Sequence, residues 1–129
     1  MLTLLVIIAP LIAKTMDTVS SEIGKAVGGK TISLRNFKLV PPGTEGAVSL
    51  AGTLAGIAAA ALLAALILPL HWGGLMEVAA LVGIAILANL FESYWGSWAE
   101  PRGMSDGPHT NFLMTLVAAT LAWLLWLRG

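Results

Sequence analysis

The chain has 129 residues, 57% of them hydrophobic and 11% charged, with zero net charge and a mean hydropathy of +0.87. Soluble domains carry about a quarter charged residues, so this composition excludes an ordinary soluble domain and places the chain in a bilayer. Neutral charge without a basic, aromatic-interleaved stripe excludes a nucleic-acid partner, and the lack of cysteine excludes disulfides, thiolate zinc sites and a cysteine nucleophile.

A helix needs roughly 20 apolar residues to cross the hydrocarbon. The first predicted span runs from Leu2 to about Ala26, apolar to Ala13 and polar thereafter. Its start, MLTLLVIIAPLIAK, lacks a basic n-region and a small-residue cleavage site. It reads as a mature span, with a signal peptide as the alternative. Asp17, Ser20, Ser21 and Gly24 follow at i, i+3, i+4 and i+7 and share one helix face.

Residues 28–46 read as a long loop. GKAVGGKT at its start satisfies the P-loop pattern, but a phosphate cradle needs that pattern between a strand and a helix. Here Gly28-Gly29 is a natural helix stop, which argues against a nucleotide-binding fold of that type. KTISLRNFKLV alternates weakly and suggests a short hairpin or an interfacial segment. PPGTEG then precedes the second span, 47–70, with the backbone amides of residues 44–48 expected to be free. A helix N-terminus of that kind binds anions. The third span is 75–96. A loop at 97–109 holds Asp106, as a helix cap or a metal or base group, and His109. Asn111 opens the fourth span, 111–127.

The expected fold is therefore all-α: one integral-membrane domain over residues 1–129, a polytopic bundle of about four transmembrane helices. Lys30, Arg35 and Lys38 lie in the first loop and Arg102 in the last, whereas residues 70–74 carry no Lys or Arg. Positive charge marks the cytoplasmic side, so loops 28–46 and 97–109 are expected there. Both termini then lie outside, an arrangement that Arg128 opposes mildly. Trp72, Trp123 and Trp126 would mark the outer interface, Trp95 and Trp98 the inner one.

This sidedness brings the polar groups together. Ser49, Gly52, Thr53 and Gly56 form a second small-or-polar stripe, and Asn89, Glu92, Ser93 and Gly96 a third. Small residues let helices approach closely and hydroxyls bond across them, which accounts for the Ser, Thr and Gly positions without invoking a site. The carboxylates are different. Asp17 and Glu92 on facing stripes could hold a hard divalent cation through oxygen, as magnesium-phosphate sites do. The plainer alternatives are an Asp17 pair with Lys14 and a Glu22 pair with Lys25. For Lys30, Arg35 and Lys38 the alternative to phosphate contact is charge bias or lipid headgroups.

DTVSSEIG (17–24), PPGTEGAVSLAGTLAG (41–56) and ESYWG (92–96) together resemble the integral-membrane family known as domain of unknown function ninety-two, over nearly the whole chain. That family includes plant and cyanobacterial phytyl-phosphate kinases and animal transmembrane protein nineteen. The pattern is also loosely similar to CTP-using membrane transferases such as dolichol kinase. The resemblance implies phosphoryl transfer onto a prenyl monophosphate, with Mg2+ and CTP or another nucleoside triphosphate. On that reading Asp17 and Ser21 line the nucleotide-metal site. Lys30, Pro42, Gly43, Thr44, Ser49 and Thr53 shape the phosphate region, and Glu92, Ser93 and Asn111 complete it. Expected partners are membrane lipid and an isoprenoid phosphate. Members are usually about twice this length, so the chain is expected to correspond to their C-terminal half: a fragment, a split protein that needs an N-terminal-half partner, or a half that dimerises. Met114 stands where Asn is expected, and ESYWGSW is bulkier than usual. The competing classes are a non-catalytic membrane subunit and a small transporter. The latter would prefer polar residues at mid-membrane, which the second span lacks.

Overall fold

The computed structural model describes residues 1–127; Arg128, weighed above in the topology, lies outside them. The described residues form four α-helices: α1 (Leu2–Val27), α2 (Leu50–Ala65), α3 (Leu75–Ala99) and α4 (Gly107–Trp126). Three strands, β1 (Thr31–Ser33), β2 (Leu39–Val40) and β3 (Ala47–Ser49), lie between α1 and α2. The helical membrane bundle expected from composition is what forms, and the first long loop adds a small sheet to it.

α1 is the hub. It packs on α2, α3 and α4, and it buries Leu5, Ala9, Ile12, Ala13 and Met16. α2 buries Gly52, Gly56, Ala60 and Ala64, and α4 buries Thr110, Met114, Ala118 and Ala122. Each of these two stripes repeats every fourth residue. Leu5, Ile12, Leu81 and Met114 fill the spaces between alanines. In lipid there is no water to expel from between helices, so close approach through small residues does the work. Large side chains such as Ile7, Leu11, Leu54, Leu62 and Leu87 point outward, where acyl chains would cover them.

Among the described residues three helices, α1, α3 and α4, are long and apolar enough to cross a membrane. α2 differs from the expected 47–70 span at both ends. Ala47–Ser49 is a strand, because those residues pair with β1 (Thr31 with Ser49, Ile32 with Val48, Ser33 with Ala47). Its 16 helical residues cover about 24 Å at 1.5 Å each, short of a hydrocarbon core of roughly 30 Å. Beyond Ala65 the chain tightens into i→i−3 turns, with Leu66, Ile67 and Leu68 N–H groups donating to Leu63, Ala64 and Ala65 carbonyls at 3.1–3.2 Å. α4 starts a turn before Asn111, because the Asp106 carboxylate accepts from the His109 amide at 2.8 Å and caps the helix. α3 overruns its expected end at residue 96 and leads into a single 3-10 turn, Glu100–Arg102.

The sheet order is β2-β1-β3, antiparallel throughout. β1 and β2 make the hairpin that the alternation in KTISLRNFKLV suggested. α1 stops at Gly28, whose φ of 69° suits glycine. GKAVGGKT thus closes a helix, as the double glycine indicated. The C-terminus of α1, the N-terminus of α2, the end of α3 and the start of α4 all meet at the sheet end of the bundle. Polar convergence at one end, expected from sidedness, is therefore a feature of the fold.

Candidate functional site

Two polar stripes meet first. A Cβ added to Gly52 would collide with the Ser20 carbonyl and come within 3.2 Å of the Gly24 Cα. One added to Gly56 would collide with Ser20 Oγ. The stripe Asp17-Ser20-Ser21-Gly24 therefore lies directly on Ser49-Gly52-Thr53-Gly56. The third stripe enters through Asn89. Its Nδ2 donates to the Ala13 and Ala85 carbonyls, both at 2.9 Å, tying α3 to α1.

Between these stripes and the sheet lies a cavity of about 260 Å³. Asp17, Ser21 and Glu92 line it, as do Pro42, Gly43, Thr44, Ser49, Thr53 and Ser93. Two residues expected here stand elsewhere. Lys30 is exposed outside the lining, carried away by the glycine turn after α1. Asn111 is linked at one remove: Lys14 Nζ donates to Asn111 Oδ1 at 2.8 Å and to Asp17 Oδ2 at 2.7 Å. The plain Asp17–Lys14 and Glu22–Lys25 pairs both form, at 2.7 and 2.6 Å. Asp17 thus keeps a place in the cavity wall while paired.

The expected free amides at residues 44–48 are partly engaged. Thr44 N–H donates to the Pro41 carbonyl and Ala47 N–H to Thr44, while β3 pairs with β1. Helix α2 begins at Leu50 instead. Ser49 is its cap, accepting from the Gly52 amide at 3.1 Å. The N-terminus of that helix therefore lies at Ser49, not within PPGTEG.

Sequence reasoning missed Lys25, Thr31 and Glu45 as lining residues. Thr31 and Glu45 arrive through the sheet and the loop it supports, which no helical spacing reports. Lys25 was read only as the partner of Glu22. The loop carrying Glu45 is locked to α3 at Gly46, whose φ is +71°. A Cβ there would collide with the Ser93 carbonyl and stand 2.5 Å from the Ser97 amide nitrogen. This docking sets Glu45 against Glu100. Hydrogen bonding with Glu100, then partial burial and the like charge, push the Glu45 pKa up, while Lys25 opposes the shift. Glu100 in turn accepts from Thr110 Oγ1 at 2.7 Å.

A raised carboxyl pKa means that the docked loop favours the protonated form. Docking is therefore tightest in acid and weakens as pH rises through the raised Glu45 pKa. The chain has no cysteine, so a spin label on Thr44→Cys reports this loop alone. Its mobility is expected to increase with pH, and Glu100→Gln is expected to flatten that dependence. A pH-independent spectrum in the parent would contradict the account.

The cavity also has an apolar edge, made by Met16, Ile86 and Leu90. Leu90 is 48% exposed on the face that lipid would cover. Its volume falls just below the roughly 300–1,000 Å³ of whole-ligand sites. Among the described residues no three His, Cys, Asp or Glu side chains cluster as a ready metal cage. The donors present are carboxylate and hydroxyl oxygens, the kind a hard cation takes together with phosphate oxygens.

The description of integral membrane protein DUF92 matches residues 1–122. The chain belongs to that family. It is an integral membrane protein, and its relatives agree. It is 50% identical over 84 residues to protein VTE6, chloroplastic, of Arabidopsis thaliana, covering 65% of this chain and 25% of the plant protein. It is 33% identical over 119 residues to an uncharacterized membrane protein of Methanocaldococcus jannaschii, covering 92% of this chain and 50% of that protein. A Synechocystis membrane protein, also uncharacterized, is 51% identical over 59 residues, or 46% of this chain and 23% of its own length. The chain thus spans between about a quarter and half the length of the curated relatives it matches. No solved structure matches it.

Proposed function

We propose that this family member is a membrane phosphotransferase of the phytyl-phosphate kinase type, acting on an isoprenoid monophosphate at the cytoplasmic face that the Lys/Arg bias assigns. The observation that carries the reading is Glu92. It is half-buried on a membrane helix, lines the cavity and makes no side-chain hydrogen bond or ion pair among the described residues. A carboxylate in that position is expensive and is retained for a ligand.

Among the described residues the lining carries three carboxylates, Asp17, Glu45 and Glu92, against Lys25 as its one cation. A bare phosphate would be repelled. Asp17 and Glu92, with Ser21 and Ser93 nearby, would hold Mg2+, which would supply the positive charge the lining lacks against phosphate. An oxygen of the lipid phosphate attacks the terminal phosphorus of the nucleotide. A P–O–P linkage forms, the bond to the bridging oxygen breaks, and nucleoside diphosphate leaves. The attacking oxygen is already ionised near neutral pH, since phosphate monoesters lose their second proton near pH 6. The protein's task is to position and neutralise, and Thr44, Ser49 and Thr53 are placed to orient the phosphates.

The test is reconstitution of the full chain with a prenyl monophosphate, magnesium and labelled CTP or ATP. Label is expected in a prenyl diphosphate, and chelation is expected to abolish it. No transfer with either nucleotide, alone or with a partner, would sink the kinase reading. A second reading is favoured by Asp17, which already pairs with Lys14 at 2.7 Å. It makes the chain a non-catalytic membrane subunit, working as a homodimer or with a partner protein. Transfer that needs such a co-expressed partner distinguishes it from the first.

A further inference from the structure

We propose that Thr31, together with Ser20 and Lys25, forms an oxyanion subsite at the sheet end of the cavity that takes a phosphate group of the substrate or nucleotide. The proposal deepens the phosphotransferase reading and rests on it for the ligand class.

Two buried side-chain hydroxyls in the cavity wall, Ser20 Oγ and Thr31 Oγ1, have no hydrogen-bond partner. Thr31 is only 5% exposed. A polar group left unpaired at such depth costs free energy, and native proteins leave few of them without a reason. Neither hydroxyl sits there by accident of packing. Thr31 is held by β1, with its Cα opposite Ser49, the cap of α2. Ser20 is held at the α1–α2 crossing against Gly56.

The surroundings favour an anion. The first-turn amides of α2 have no intrahelical acceptor, and Ser49 satisfies only the one on Gly52. That helix end carries partial positive charge beside Thr31. Lys25 stands at the mouth, half exposed and paired with Glu22. It is free to turn toward an incoming phosphate by exchanging one exposed partner for another. Asp17 and Glu92 belong to the helical wall. Glu45, on the loop between β2 and β3, is the carboxylate on the sheet side, where Lys25 and Glu100 lie close to it. The rest of the cavity is polarised, with hydroxyls, lysine and a helix N-terminus toward the sheet and Asp17 and Glu92 toward the bundle. A magnesium-phosphate ligand has the matching polarity.

Thermal shift on the purified full chain tests this without needing turnover. The probes are magnesium pyrophosphate, magnesium CTP and a prenyl monophosphate with magnesium; the variants are Thr31→Val and Ser20→Ala. The parent is expected to be stabilised by at least one probe. Thr31→Val should weaken that probe about ten- to a hundredfold, the scale of a lost hydrogen bond to a charged group. Its ligand-free melting point should stay level or rise, because the hydroxyl has no partner to lose. Response to CTP assigns the subsite to the donor and response to the prenyl phosphate assigns it to the acceptor; either supports the proposal. It is overturned if the parent responds to none of the probes, if Thr31→Val binds like the parent, or if the variant is destabilised without ligand. Binding lost in Thr31→Val while the parent transfers no label leaves the subsite standing and the kinase reading fallen. Transfer unchanged in Thr31→Val does the reverse.

Discussion

Replacing Glu92 by Gln is expected to lower phosphoryl transfer by about a hundredfold or more, the loss seen when a preorganised charge is deleted from a reaction site. The change keeps the shape of the side chain and removes its charge. Because Glu92 makes no ion pair or side-chain hydrogen bond among the described residues, the fold loses nothing with that charge, and melting should be unchanged or slightly higher. Asp17→Asn is expected to cost a comparable factor. It differs in one respect: Asp17 is bonded to Lys14 at 2.7 Å, and Lys14 also reaches Asn111. An asparagine oxygen can still accept from Lys14, so the α1–α4 link survives while a metal ligand weakens. The diagnostic is magnesium dependence. Both variants should need more magnesium for half-maximal rate, with the lipid-phosphate KM less affected. Full activity in Glu92→Gln at ordinary magnesium would show that the carboxylate is not part of the chemistry.

The helical half of the site was legible because helix arithmetic is local. Asp17-Ser20-Ser21-Gly24 and Ser49-Gly52-Thr53-Gly56 are one-face spacings, and they do face each other. The sheet was legible only as a hairpin. β3 is an uncharged segment continuous with an apolar helix, so hydropathy merged Ala47–Ser49 into the span. What makes it a strand is pairing with Thr31–Ser33, a contact distant in sequence. The same sheet decides which cation serves the cavity. Lys30 follows the P-loop spacing but stands beyond the Gly28 turn, whereas Lys25, still within α1, lines the cavity. Thr31 and Glu45 carry no spacing signal at all, since their place depends on strand register and on Gly46 docking against α3.

Substituting Gly52 is expected to do the largest structural damage of any single change on the α1–α2 seam. The atoms that a Cβ would meet there include the Ser20 carbonyl and the Gly24 Cα. Both belong to backbone, so no side chain can rotate away and the helices themselves must part. Gly52→Ala should cost toward the upper end of the roughly 1–3 kcal/mol typical of overpacking, and Gly52→Leu more. Lipid offers no hydrophobic force to pull α1 and α2 back together, so separation removes the contacts that hold them. Gly83→Ala is the control. It also sits within a helix, but nothing lies within 4 Å of its added Cβ, so the stability should hold or improve slightly through helix propensity. Thermal or denaturant unfolding in detergent, followed by tryptophan fluorescence, compares the three. A Gly52→Leu chain as stable as the parent would mean that the helices are not in this contact. Because Ser49 and Thr53 flank Gly52, the same separation should open the cavity wall. Phosphate-probe binding is therefore expected to fall together with stability in the Gly52 series. In Glu92→Gln stability is kept while activity falls, so the two losses separate a damaged wall from a missing charge.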